Sequence, residues 1–188
     1  MTMLWVVLGA VALVGLWVVT GYNRLISLKN QSLNGWKQID IQLKRRHDLI
    51  PNLVETVKGV MKFEQNTLTQ VIEARNKAVS AQGVAEKAVQ ENALSGALRQ
   101  LFALTESYPN LKSNENVGKL QEELSSTENK ISFARQFYND IATAFNIALQ
   151  SFPTNLIAGS FAFKPLELFE ITDASERQTP KVDLNLNS

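Results

Sequence analysis

The chain opens on its most apolar stretch and then settles into apolar positions spaced for helices. Residues 4–19 read LWVVLGAVALVGLWVV, and no charged side chain precedes Arg24. About 18 or more such residues, rising ~1.5 Å each, cross the ~30 Å hydrocarbon core of a bilayer, and Thr20, Gly21 and Tyr22 extend the run. The pattern predicts a membrane anchor over residues 1–21, with Leu4, Trp5, Leu8, Leu13, Leu16, Trp17 and Tyr22 as its main contacts with lipid. Trp5 near one end, and Trp17 with Tyr22 near the other, fit aromatic rings at the two interfaces. A cleavable signal peptide is the rival. It would carry a basic segment, absent before Leu4, and a shorter apolar core of about 7–15 residues, although Val19 and Gly21 offer a small pair for cleavage. A buried core helix would need apolar partners on every side, and no other segment is comparably apolar. Gly9 and Gly15 are six apart, which is not the spacing that draws two membrane helices together.

Residues 22–62 carry a long helical pattern: Tyr22, Leu25/Ile26, Leu33, Trp36, Ile39, Leu43, Ile50, Val54, Val57 and Met61 step by about three and a half, the period of a seam packed against other helices. Lys29, Asp40 and His47 interrupt it. Pro51 falls inside it, removing a backbone donor and crowding the carbonyl of His47, so a kink is expected there. Only Gly21 weakens the junction with the anchor, which predicts one continuous or gently bent rod.

Residues 64–82 and 84–107 read as two further helical pieces meeting at Gly83, with an alanine-rich face (Ala81, Ala85, Ala88, Ala93, Ala97) suited to close approach. Tyr108-Pro109-Asn110 ends it, because proline disfavours helical geometry in the residue before it. The strongest pattern follows. Val117, Leu120, Leu124, Thr127, Ile131, Ala134, Tyr138, Ile141, Phe145, Ala148 and Phe152 alternate steps of three and four, with Ser113 or Asn114 placed to cap the start. Phe152-Pro153 stops the helix, and residues 156–158 can add one turn. Phe161, Phe163, Leu166, Leu168 and Phe169 should dock on the bundle, with Pro165 able to start a short helix. The predicted fold is all-α: the anchor, then an elongated, four-helix-like antiparallel bundle over residues 22–172, then a polar tail over 173–188 that frays. The expected path is a long helix out, a broken one back, a long one out again and a short C-terminal helix.

Charge changes this picture at one end. Residues 22–62 hold eight Lys/Arg against three acids, net +5, while residues 63–188 hold eleven against fifteen, net −4. Arg24, Lys29 and Lys37 follow the span and no cation precedes it. Positive residues are retained on the cytoplasmic side, so the N-terminus is expected outside the cell membrane and the domain in the cytoplasm. The same cations can hold the stem to anionic lipid head groups. The chain contains no cysteine, which suits a reducing compartment and excludes thiolate chemistry and a lipidated N-terminal cysteine. No basic patch interleaves with aromatic residues, and nucleic acid is not an expected partner.

Candidate chemistry is sparse. His47 is the single histidine, and its neighbour Asp48 points elsewhere on a helix, so the two form no catalytic pair. No metalloprotease, phosphate-loop, nucleophile-elbow or EF-hand motif occurs. Glu122, Glu123 and Glu128 form only a loose acidic cluster, and one histidine cannot supply the two Glu-x-x-His pairs of a di-iron bundle. No catalytic residue, cofactor or metal is expected. Residues 40–48, DIQLKRRHD, are denser in charge than a seam requires. Asp40 is one turn from Lys44, and Lys44 one turn from Asp48, a pattern of weak surface pairs. If Asp40 or Arg46 is buried instead, Glu128 or Arg135 on the facing helix can serve as partner and set helix register. A partner-binding patch is the third reading.

Tyr22-Asn23, the run Trp36-x-x-Ile39-Asp40-x-x-Leu43-x-Arg45-Arg46-x-Asp48-Leu49-Ile50-Pro51-Asn52-Leu53-Val54, and Val57-Lys58-Gly59 closely resemble the signature of LemA family proteins. So do Tyr108-Pro109-x-Leu111, Glu128-x-x-Ile131-x-x-Ala134-Arg135-x-x-Tyr138-Asn139, Asn146, Phe152-Pro153 and Phe161-x-Phe163. The resemblance implies a bacterial single-pass membrane protein with a helical-bundle domain and no established enzymatic activity or cofactor. It marks Trp36, Asp40, Arg45, Arg46, Asp48, Pro51, Arg135 and Tyr138 as structural or interaction residues. One magnetosome-associated branch of the family is linked to forming internal membranes, and LemA genes often lie beside those of membrane metallopeptidases. The expected function is a non-enzymatic scaffold that binds membrane lipids, self-associates and organises or remodels the membrane. The alternative is an adaptor for another membrane protein, such as a metallopeptidase.

Overall fold

A computed structural model of the protein describes residues 1–59 and 64–169. Met61, Lys62 and the polar tail from residue 173 therefore lie outside the described residues. Six helices account for the architecture, and among the described residues there are no strands. Helix α1 (Thr2–Lys58) runs unbroken through the apolar segment and the following seam, and Pro51 lies within it. Its 57 residues correspond to about 86 Å. In the segment before Trp17 every side chain is exposed, so the apolar run projects from the bundle as a bare rod.

Helices α2 (Gln65–Ser80) and α3 (Gly83–Thr105) form a hairpin. Helix α2 descends along α1, where Arg75 Nε donates to the His47 carbonyl at 2.8 Å. The chain then reverses through an extended Ala81 and Gln82 into Gly83, whose φ of +76° suits a residue without a side chain. Helix α3 climbs again, meeting Asp40 of α1 through Lys87 and then Arg46 through Glu91 and Ser95. After the short α4 (Pro109–Lys112), α5 (Glu115–Gln150) runs back antiparallel to α1 over 36 residues. The expected path is thus corrected. The second and third helical pieces are a down-and-up hairpin rather than one broken return, and the heptad-patterned helix comes back towards the anchor. The Ala81–Gln82 turn reverses the chain, so the two pieces cannot run on in one direction.

Helix α5 starts on a true cap: the Asn114 side chain accepts from the backbone N–H groups of Asn116 (3.0 Å) and Val117 (3.3 Å), worth about 1 kcal/mol. Its predicted seam is buried at Val117, Leu124, Thr127, Ile131, Ala134, Tyr138 and Phe145, but Ala142 replaces Ile141 on the inner face and Phe152 is exposed. Phe152 lies past Ser151, which ends the helix, and Ala142 fills the inner position between Tyr138 and Phe145. On α1 the inner face is Leu25, Ser32, Gly35, Ile39, Leu43, Arg46, Ile50, Leu53, Val54 and Val57. Leu33 is turned outward and Ser32 takes the inner position, while Gly35 marks the close approach of α5. A Cβ on Gly35 would meet Tyr138 Cα at 3.3 Å and Phe137 Cδ1 at 3.2 Å. Of the alanine-rich face, Ala81 and Ala88 are buried, while Ala85 and Ala93 are exposed.

The core is three clusters stacked along the rod. The distal one joins α1, α2, α3, α4 and α5, the middle one Ile39, Leu43, Ala88, Ile131, Tyr138 and Phe169, and the proximal one Leu25, Phe145, Ile157 and Ala158. The last helix among the described residues, α6 (Thr154–Ser160), folds under the end of α5 against Gly21 and Tyr22. Beyond it Pro165 starts no helix. Residues 163–169 are extended along α5, held by two asparagines. Asn146 accepts from the Leu166 N–H and donates to the Leu166 carbonyl (both 2.8 Å), and Asn139 does the same for Phe169 (2.8 and 3.0 Å). Each amide side chain pairs like a neighbouring strand, satisfying backbone groups that a docked coil would leave orphaned.

Candidate functional site

Leu25, Ser32, Ile39, Arg46 and Leu53 recur every seven residues on α1, so helical geometry drives the Arg46 guanidinium into the core. Burying an ion costs several kcal/mol unless it is paired and hydrogen-bonded. Here α3 and α5 supply the partners. Arg46 Nη2 pairs with the Glu91 carboxylate and donates to the Glu91 carbonyl at 3.2 Å; Nη1 pairs with Glu128 and donates to Ser95 Oγ at 2.9 Å. Ser95 Oγ in turn donates to Glu128 Oε1 at 3.1 Å. His47 Nε2 lies 2.8 Å from Glu91 Oε1. Arg46 and Glu91 are both buried, whereas Glu128 is half-exposed. Only Arg46 Nε lacks a partner within the cluster.

For Glu91, burial acts to raise the carboxyl pKa, but the His47 hydrogen bond and the Arg46 and His47 charges outweigh it and hold the group below its ordinary value of 4.5. One cation thus bridges carboxylates from two other helices. A slip of any of the three would strand a charge in the core, so the cluster sets register.

The other charges around it are external. Asp40 pairs with Lys87 of α3 at 2.6 Å rather than with Lys44, and Lys87 also lies 5.4 Å from the Trp36 ring centroid. Lys44 and Asp48 are exposed, so the expected chain of one-turn surface pairs is replaced by an interhelical one. Arg45 faces Glu123 at 3.6 Å with both side chains about half exposed. Arg24, Lys29 and Lys37 are exposed along α1, and Pro51 is half-buried. Trp36 packs on Tyr138 (5.6 Å) and Phe169 (6.0 Å). Tyr138 donates to the Glu167 carbonyl at 2.7 Å, and burial and the Glu167 charge both push its hydroxyl pKa upward. Arg135 donates to Asn92 Oδ1 at 3.4 Å and stacks 4.5 Å over the Phe169 ring. Arg135 is therefore separate from the Arg46 cluster. Trp36, Tyr138, Arg135 and the C-terminal segment form a second assembly nearer the anchor.

Sequence reasoning named Glu128 as a partner but missed Glu91, Ser95 and Lys87. A signal existed for Glu91, since Ala88, Glu91, Leu94, Leu98 and Leu101 keep helical spacing on one buried face. Chemically the cluster is closed. Its carboxylates are engaged by Arg46, Ser95 and His47, the Ser95 hydroxyl is tied between Arg46 and Glu128, and among the described residues no three His, Cys, Asp or Glu could hold a metal ion. In the apolar N-terminal run, Leu4, Trp5, Leu8, Leu13 and Leu16 are exposed, whereas Trp17 and Tyr22 are partly buried against the foot of the bundle.

A bare apolar helix continued into an antiparallel bundle, with its charged cluster locked between helices, fits a membrane-anchored helical-bundle protein. The chain belongs to the LemA family, whose sequence profile matches residues 35–184. It is similar to Protein LemA of Metamycoplasma hominis, 28% identical over 167 residues that cover 87% of this chain and 73% of that one. It is also similar to the magnetosome proteins MamQ 2 of Paramagnetospirillum magneticum (24% over 181 residues; 82% and 66% covered) and MamQ of Magnetospirillum gryphiswaldense (22% over 189 residues; 86% and 70%). LemA proteins are not known enzymes.

Proposed function

We propose that the protein is a non-enzymatic scaffold of the bacterial inner membrane, anchored by residues 1–21, whose bundle self-associates and organises or remodels the membrane around it. The observation that carries this reading is an uncovered apolar face where α1 and α5 meet. Phe133 is 72% exposed, Ile41 64% and Phe137 42%. The buried Gln42 Oε1, in the groove these side chains line, has no hydrogen-bond partner among the described residues. Exposed apolar groups grouped beside an unsatisfied acceptor favour a surface completed by another chain. Similarity to magnetosome proteins supports a setting at a membrane, and Arg24, Lys29 and Lys37 support a cytoplasmic domain.

Because the chain has no cysteine, the variants Phe133→Cys and Ile41→Cys report this face alone. Oxidative crosslinking in native membranes should yield dimers or larger species, lost on adding Phe137→Asp. A strictly monomeric protein would overturn self-association, and recovery of one stoichiometric foreign membrane protein with the affinity-purified chain would favour the adaptor role. A reporter fused after Ser188 should be active only in the cytoplasm; periplasmic activity would reverse the orientation.

A further inference from the structure

The foot of the bundle carries a second apolar surface, distinct from the α1–α5 face. Phe152 is 81% exposed, Leu156 58% and Phe161 54%. All three lie on or beside α6. Its opposite side, Ile157 and Ala158, is buried against Leu25 and Phe145. Between residues 90 and 132, across the distal end, no large apolar side chain is exposed among the described residues. The distal half thus has no counterpart of this surface, and the α1–α5 face with Ile41 and Phe133 lies farther up the rod.

Three contacts set the height of this surface along α1. Ile157 Cδ1 occupies the space beside Gly21, where a Cβ would come within 2.5 Å of it. The Phe161 ring lies 4.7 Å from that of Tyr22. Trp17 packs against the same proximal cluster. Helix α6 is thus held level with residues 17–25 of α1, where the apolar run of residues 4–19 ends. The charge pattern agrees. From residue 141 to residue 166 there is no acidic side chain, and the single charge is the exposed Lys164, with exposed Arg24 nearby in height on α1. A surface of two phenylalanines and a leucine, free of anions and edged by cations, matches the boundary between lipid head groups and acyl chains.

We infer that Phe152, Leu156 and Phe161 form an interfacial foot that enters the lipid surface beside the anchor. This inference rests on residues 1–21 spanning the bilayer. The protein then meets the membrane at two points instead of one. A single helix leaves the rod free to tilt and spin, whereas a foot inserted about 5–10 Å on one side fixes both and presents the α1–α5 face at a constant angle to neighbouring copies.

The absence of native cysteine makes the test direct. Full-length Phe152→Cys, Leu156→Cys, Leu13→Cys and Val79→Cys proteins are each labelled with an environment-sensitive fluorophore. They are then reconstituted into phosphatidylcholine vesicles containing phospholipids with a nitroxide quencher placed shallow or deep in the acyl chain. The label at 13 should be quenched most by the deep nitroxide. Labels at 152 and 156 should be blue-shifted and quenched several-fold more by the shallow nitroxide than the label at 79, on the exposed face of α2. Quenching at 13 without quenching at 152 and 156 would overturn the foot and leave the anchor standing. Loss of quenching at 13 would overturn both. Self-quenching between labels at 152, with no effect of either nitroxide lipid, would mean that a second copy covers the surface, and would also overturn the inference.

Discussion

Truncating Glu91 tests whether the Arg46 cluster sets the bundle's register. In Glu91→Ala, Arg46 stays buried, loses one of its two carboxylates, and keeps only the half-exposed Glu128. Removing one partner of a buried pair costs about 3–5 kcal/mol, because a charge is left uncompensated in the core. For a domain of this size each kcal/mol moves the melting midpoint by roughly 2–4 °C, so a fall of about 6–20 °C is expected. Glu123→Ala is the control, because its pair with Arg45 is open to water; such pairs contribute ~1 kcal/mol or less. The double variant Arg46→Met/Glu91→Met should lie well above Glu91→Ala, since it removes the stranded charge together with the pair and lets Glu128 turn to solvent. Thermal melts of the full-length protein in detergent, followed by far-ultraviolet circular dichroism, measure all four chains. A Glu91→Ala shift no larger than that of Glu123→Ala, or a double variant less stable than both single variants, would refute the reasoning.

The remaining predictions concern pH, packing and the C-terminal segment. Because Glu91 is held below 4.5 in the folded protein, its contribution is complete above 4.5 and is lost as pH falls through the depressed folded value; Glu91→Gln should flatten this acid limb in melts taken at successively lower pH. Gly35→Leu should destabilise by about 1–3 kcal/mol, because Tyr138 Cα and Phe137 stand where its side chain must go. Gly118→Ala, with open space around its Cβ, should instead stabilise α5 by about 0.5–1 kcal/mol; equal effects on denaturation midpoints would argue against the close approach of α1 and α5. Asn139→Ala and Asn146→Ala each remove two hydrogen bonds to the extended segment. Faster amide exchange at Phe169 and Leu166, with the distal core unchanged, is expected, and unchanged exchange at those amides would show that hydrophobic docking alone holds the segment.

Much of this protein is written in its periodicity. The apolar run of residues 4–19 and the three-and-four spacing from Val117 to Phe145 depend only on chain geometry and on which side chains avoid water. They specify a rod, an uncovered apolar N-terminal end and the inward side of each helix. Where two neighbouring residues compete for one position, as Ile141 does with Ala142 or Leu33 with Ser32, the facing helix decides, because the choice turns on how closely the two helices pack there.

The partners across the interfaces were decided only by tertiary structure. An amphipathic pattern states that a face is covered without stating by what, so the hairpin of α2 and α3 and the return of α5 were not legible. The same limit explains Arg46 and Glu91. The sequence offers a buried Arg46 with Glu128 as partner beside a solvated reading, and only when the helices meet does a low-dielectric space decide between them and bring in Glu91.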